Sequence, residues 1–190
     1  MRLWYLTFVG LFLAAVAPAV AQAPQGAGAP ETFSANARAE NAAGVAVSAP
    51  IVIHVNRYTP EFDRNAVLEG LRVGGYPGFI PALRKAPDVG SVEIGKRKFT
   101  IRFARDTTSD AGRTIVFVTD KPIAFLKAVD DSKSRAGYLV GLIRLTVDAH
   151  GNGGGEMAAA ARVKAGGETG VQVDDFAGDS PVLLSAVTRK

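Results

Sequence analysis

The sequence predicts an α+β domain: a mainly antiparallel sheet or distorted β-barrel of about seven to eight strands, with two short helices inserted after the first strand. Three observations carry that expectation. Short runs in which apolar residues alternate with polar ones recur from Ile51 to Val187; clusters of Gly, Asp, Asn and Pro separate them; and a single stretch, 59–85, carries helical start signals and helical spacing instead.

Taken in order, Ile51, Ile53 and Val55 form one face of a run whose other face is Val52, His54, Asn56 and Tyr58, the period-2 pattern of a half-buried strand. Thr59-Pro60-Glu61 then reads as an N-cap, a proline preset at the first helical position and an acid where the helix dipole favours one. Phe62, Ala66, Val67 and Leu71 fall near one face, and Gly74-Gly75 ends the run. A second helix is expected from Pro77 to Lys85, on the stripe Phe79, Ile80 and Leu83. Beyond Pro87, Val92 and Ile94 lead through Gly95-Lys96 into Phe99, Ile101 and Phe103, which alternate with Lys98, Thr100 and Arg102. Thr114–Val118 is apolar on both faces, as a covered central strand requires. Pro122–Ala128 reads as one helical turn or an irregular edge. Tyr138–Val147 and Glu156–Lys164 form a hairpin across a glycine-rich tip, and Val171–Val173 and Val182–Val187 close the list of strands.

The amino terminus has the pattern of a secretory signal: Arg2, an apolar run from Leu3 to Val16, then Ala17-Pro18-Ala19-Val20-Ala21 as helix break and cleavage pattern. Residues 1–21 are therefore expected to be removed, 22–48 to form a disordered Ala/Gly/Pro-rich leader, and 49–190 to form one domain. The run is short for a membrane span, so no stable membrane anchor is expected after removal, and the product is placed in the periplasm or outside the cell. The chain has no cysteine, which removes disulfides, thiolate metal sites and thiol nucleophiles. With 22 Lys and Arg against 18 Asp and Glu, the charge is too near balance for a nucleic-acid partner.

The segment Arg113-Thr114-Ile115-Val116-Phe117-Val118-Thr119-Asp120-Lys121-Pro122-Ile123, the later Leu142-Ile143-Arg144-Leu145, the glycine-rich hairpin and Pro181-Val182-Leu183-Leu184 together resemble a family of uncharacterised exported bacterial proteins. The resemblance covers most of Ile51–Val187. It implies export and a single domain, and carries no catalytic residue.

No motif supplies a catalytic centre. His54 and His150 lack a spacing that joins them to a carboxylate ligand set, Ser91 is not in a nucleophile elbow, and Gly151–Glu156 lacks the ending of a phosphate loop. No cofactor and no metal are therefore expected. The acidic pairs Asp130-Asp131 and Asp174-Asp175 fall in expected loops, and the basic set Lys96, Arg97, Lys98, Arg102 and Arg105 reads as a solvated strand edge that discourages aggregation. Two functional readings remain. The favoured one is a non-catalytic domain of the bacterial envelope that binds a small apolar or anionic ligand or a protein, with Arg102, Arg144 and Arg162 as candidate ligand-binding residues, because a cation in an apolar strand either faces water or pairs with something. The other is a small hydrolase using carboxylates, with Asp120, Asp174 and Asp175 as candidates, which requires that two of them converge across a cleft.

Overall fold

The computed structural model describes residues 30–40, 46–109, 112–125, 137–177 and 180–190. The expected signal over 1–21 and the pair Asp130-Asp131 lie outside the described residues. Within them the chain forms β1 (Glu31–Glu40), β2 (Ala46–Val55), α1 (Glu61–Lys85), β3 (Gly90–Ile94), β4 (Arg97–Ser109), β5 (Gly112–Thr119), β6 (Val140–Val147), β7 (Asn152–Ala165), β8 (Val171–Asp175) and β9 (Val182–Arg189). Antiparallel pairing runs from β1 through to β7, passes from β7 to β9, and returns from β9 to β1. An antiparallel barrel of eight strands results, with β8 attached to the far end of β7.

Each barrel strand sends alternate side chains inward. Phe33, Ile53, Val92, Ile101, Phe117, Leu145, Met157 and Leu184, one from each of the eight strands, belong to a single buried cluster. Phe33 and Phe117 meet in the lumen with ring centroids 6.4 Å apart. The lumen is thus packed with side chains, as an eight-stranded barrel permits. The outward positions of β1–β3 are mostly polar (Thr32, Ser34, Asn36, His54, Ser91, Glu93), with Pro50 and Val52 among them.

The leader expected over 22–48 is corrected by β1, which occupies Glu31–Glu40 and pairs with both β2 and β9. Its inward face is Phe33, Ala35 and Ala37, all buried. Two alanines give a weak apolar signal in a sequence, yet they fit where strands converge and larger side chains fill the space. Accordingly β2 starts at Ala46, and the helical segment follows the second strand instead of the first.

The two expected helices run together as one helical element with a kink at Gly75 (φ 57, ψ −156). Past the kink the second arm lies against the first so closely that a Cβ on Gly78 would stand 2.6 Å from the carbonyl oxygen of Gly70. Thr59 is not the N-cap. Pro60 holds that place without a side-chain bond, while the buried Thr59 hydroxyl accepts from the Ala104 amide at 2.8 Å.

A second buried cluster lies outside the barrel, where Val67, Leu71, Phe79, Ile80 and Leu83 of α1 pack on Phe103, Val116, Val118, Leu142, Ala158 and Ala161. It explains the apolar outer face of β5. It also corrects Phe103, whose expected alternation with Ile101 is broken by a bulge at Arg102. One extra residue turns Phe103 outward under the helix and restores inward packing at Ala104. The glycine-rich run is likewise not a loose tip: β7 begins at Asn152 and carries Gly153, Gly154 and Gly155 inside the strand. A Cβ at Gly155 would lie 2.3 Å from the carbonyl oxygen of Arg144, so only glycine lets β7 approach β6 this closely.

Candidate functional site

With the lumen filled, space for a ligand has to be sought on the outer surface. One concavity of the outer surface arises because β7 is longer than the strand it pairs with. Up to Ala161 it pairs with β6; from Arg162 it pairs instead with β8, through Arg162↔Asp175, Val163↔Val173, Lys164↔Gln172 and Ala165↔Val171. The β7–β8 hairpin therefore leaves the barrel wall and arches over the outer face of β6 and β5. Its tip reaches β4, where Arg105 donates to the Thr169 carbonyl at 3.0 Å and the Thr107 hydroxyl to the Glu168 carbonyl at 3.4 Å. Burial and the nearby Arg64 guanidinium make the Arg105 cation easier to deprotonate than an ordinary arginine.

Between arch and barrel lies a groove of about 510 Å³, within the roughly 300–1,000 Å³ range of small-ligand sites. Its floor is built in cross-strand rows. Thr114 pairs with Thr146, and the next row is Val116, Arg144 and Glu156 on three adjacent strands. Leu142 begins the apolar end, and Val171, Val173 and Phe176 of the arch face it. Val173 and Phe176 are only partly buried, leaving apolar surface open to the groove. At the floor's centre both Nε and one terminal nitrogen of Arg144 donate to the same Glu156 oxygen, at 3.2 and 3.0 Å. The two side chains keep half and about a third of their surface in solvent.

The three candidate arginines do not converge. Arg144 lines the groove. Arg162 stands six residues farther along β7 than the partner of Arg144, about 20 Å away at strand rise; there it donates to the Gly137 carbonyl at 3.3 Å and lies over the Tyr138 ring at 5.3 Å. Arg102, at the β4 bulge, is held beneath the end of α1 by Asp88 Oδ1 at 2.6 Å and the Ala86 carbonyl at 2.9 Å, with Asp120 at 3.8 Å from its buried Nε.

The carboxylates are equally dispersed. Asp120 faces Arg102, Asp174 is paired with Lys164 at 3.0 Å, and Asp175 accepts the Tyr138 hydroxyl, which holds its carboxyl below the usual range. The basic set is divided in the same way, since Arg97 donates to the Ala124 carbonyl, Lys98 pairs with Glu93, and Arg105 holds the arch. His54 sits on the outer face with Thr32 Oγ1 at 3.3 Å and Glu93 at 3.7 Å, while the His150 amide donates to Asp148 in the β6–β7 turn. Among the described residues no group of three His, Asp or Glu side chains is placed to hold a metal ion.

Sequence reasoning missed Glu156, the arch and a charged cluster at one end of the barrel. In that cluster Glu31 accepts from both terminal nitrogens of Arg113 at 2.8 and 2.9 Å, from the Tyr58 hydroxyl at 2.5 Å and from Arg189 at 3.2 Å, while Arg113 Nε donates to Asp106 at 2.8 Å. Burial raises the Glu31 carboxyl, but the bonds from Arg113 and Tyr58 outweigh it and leave the acid below its usual range. The Tyr58 phenol is pushed far above its ordinary value, by burial first and then by Glu31. Every charge here is already paired, which marks the cluster as a clasp between β1 and β5. A signal existed in Glu31 and Arg113, but nothing local connects residues 82 positions apart. Compared with known proteins, the chain matches no family model, no curated protein and no solved structure.

Proposed function

We propose that the chain is an exported, non-catalytic binding domain of the bacterial envelope that holds a small ligand in the groove between the β7–β8 arch and the outer face of β5–β7. One observation carries the reading: a groove of about 510 Å³ whose apolar lining from Val173 and Phe176 is left partly exposed although the neighbouring core is closed. The signal-like pattern over 1–21 supports export. The dispersion of Asp120, Asp174 and Asp175 among separate partners favours binding over carboxylate chemistry. Of the candidate arginines, Arg144 belongs to the site on this reading, and Arg102 and Arg162 support the structure around it.

The test is native mass spectrometry of the protein taken from a bacterial envelope fraction, set against its denatured mass. A discrete added mass is expected, and Val173→Trp, at a partly exposed position of the groove lining, removes it while far-ultraviolet circular dichroism stays unchanged. A bound mass that survives Val173→Trp places the ligand elsewhere and overturns the groove; an unliganded protein in both forms overturns tight retention.

A further inference from the structure

From the polarity of this groove we infer the class of its ligand: a zwitterion whose opposite charges lie within a few bonds of each other and which carries an apolar substituent. The inference rests on the binding reading above and goes beyond it. Arg144 and Glu156 face each other across β6 and β7, so the groove presents a cation and an anion side by side. Their mutual pairing uses only one oxygen of Glu156. Among the described residues no hydrogen bond engages Nη1 of Arg144 or Oε2 of Glu156. An incoming anionic group can therefore take Nη1 and an incoming ammonium Oε2 without breaking the existing pair, and the four charges then alternate in a closed ring.

A singly charged ligand satisfies one of these atoms and leaves its own field uncompensated by the other. A zwitterion with distant charges reaches only one. The hydroxyls of Thr114 and Thr146 lie in the next row as further hydrogen-bonding groups, and Leu142, Val173 and Phe176 offer the apolar wall for a substituent. Two sources share this chemistry: an apolar α-amino acid, and an ethanolamine phospholipid, whose phosphate and ammonium are close neighbours at the base of an acyl chain.

The experiment is a titration of the purified protein followed by methyl NMR at Val116 and Leu142, with L-phenylalanine, N-acetyl-L-phenylalanine, L-phenylalaninamide, the uncharged N-acetyl-L-phenylalaninamide and lysophosphatidylethanolamine as probes. Phenylalanine or the lysolipid is expected to bind about tenfold more tightly than a matched analogue lacking either charge, the size of one charge-assisted hydrogen bond. Arg144→Gln should abolish discrimination against the amide, and Glu156→Gln discrimination against the acetylated acid. The preferred zwitterion identifies the source. If the uncharged probe shifts the same methyls as strongly as phenylalanine does, the zwitterion inference fails while the groove stands. If no probe moves Val116 or Leu142, the groove reading fails with it.

Discussion

Replacing Glu31 by alanine tests whether β1 belongs to the folded domain, because the carboxylate is the group that four donors share. Its side chain is 14% exposed and that of Arg113 is 19% exposed. Breaking a fully buried ion pair costs about 3–5 kcal/mol, chiefly by leaving the remaining charge without a partner. Here Arg113 keeps Asp106 at 2.8 Å, so its charge is not abandoned. The Tyr58 hydroxyl, on a residue only 4% exposed, retains one contact with Arg113 at 2.5 Å. Residual solvent and these surviving partners bring the expected loss to roughly 2–3 kcal/mol. With a urea slope of about 2 kcal/mol/M for a domain of this size, the midpoint should fall by about 1 M.

Urea unfolding followed by circular dichroism measures it, with Glu61→Ala as the comparison. Glu61 stands 3.9 Å from Arg64 with 78% of its side chain exposed, and its removal should change stability by less than about 0.5 kcal/mol. Equal midpoints for the two variants would refute the clasp. The pH dependence has a fixed sign. Because the folded state lowers the Glu31 pKa from its ordinary 4.5, the stabilisation is present above pH 4.5 and is lost as pH falls through the lower folded value. In Glu31→Ala that acid-side loss should shrink; an unchanged profile between pH 5 and the acid limit of folding counts against the assignment.

Three further outcomes follow from the same geometry. The Tyr58 phenol should remain protonated in the folded protein past its ordinary 10.0, its contribution being present below that pH and lost above it; absorbance titration of wild type against Tyr58→Phe should show no Tyr58 ionisation before alkaline unfolding, and an ordinary titration would refute the burial argument. Gly155→Ala should cost more than about 2 kcal/mol in the same urea assay, because a Cβ 2.3 Å from the Arg144 carbonyl forces β6 and β7 apart; a neutral effect would show that the strands yield freely. Ala186, at φ 50, sits in the stretch of β9 that bulges against both β1 and β7, so Ala186→Gly should raise stability by about 0.5–1 kcal/mol, and a decrease would mean that the strain is not borne there.

What could be read from the sequence was what local chemistry determines. Ile51-Val52-Ile53 and Thr114–Val118 announce strands because large β-branched side chains mark their faces, and the structure places strands there. The same rule hides β1: between Phe33 and the hairpin, its inward residues are alanines whose burial depends on seven other strands. It also fails at Phe103, since alternation cannot announce the residue at which a bulge exchanges faces. Closure into a barrel was not legible for a related reason. The deciding pair, β1 with β9, joins residues such as Asn36 and Ser185, whose proximity is a property of the whole sheet.

The candidate site divides along that line. Arg144 is conspicuous in Leu142-Ile143-Arg144-Leu145, a cation in an apolar strand, and it lines the groove. Arg102 and Arg162 carry the same local signal, yet their neighbours are a helix end and an aromatic ring. What separates the three is register. Arg144 meets Glu156 because Thr146 pairs with Gly154 two positions earlier, and that pairing exists because the glycines of β7 admit the carbonyls of β6. A glycine run that resembles a flexible tip thus brings two opposite charges together beneath the arch. The run and the ion pair are one feature, and a side chain introduced at Gly155 should disturb the Arg144–Glu156 pair as well as stability.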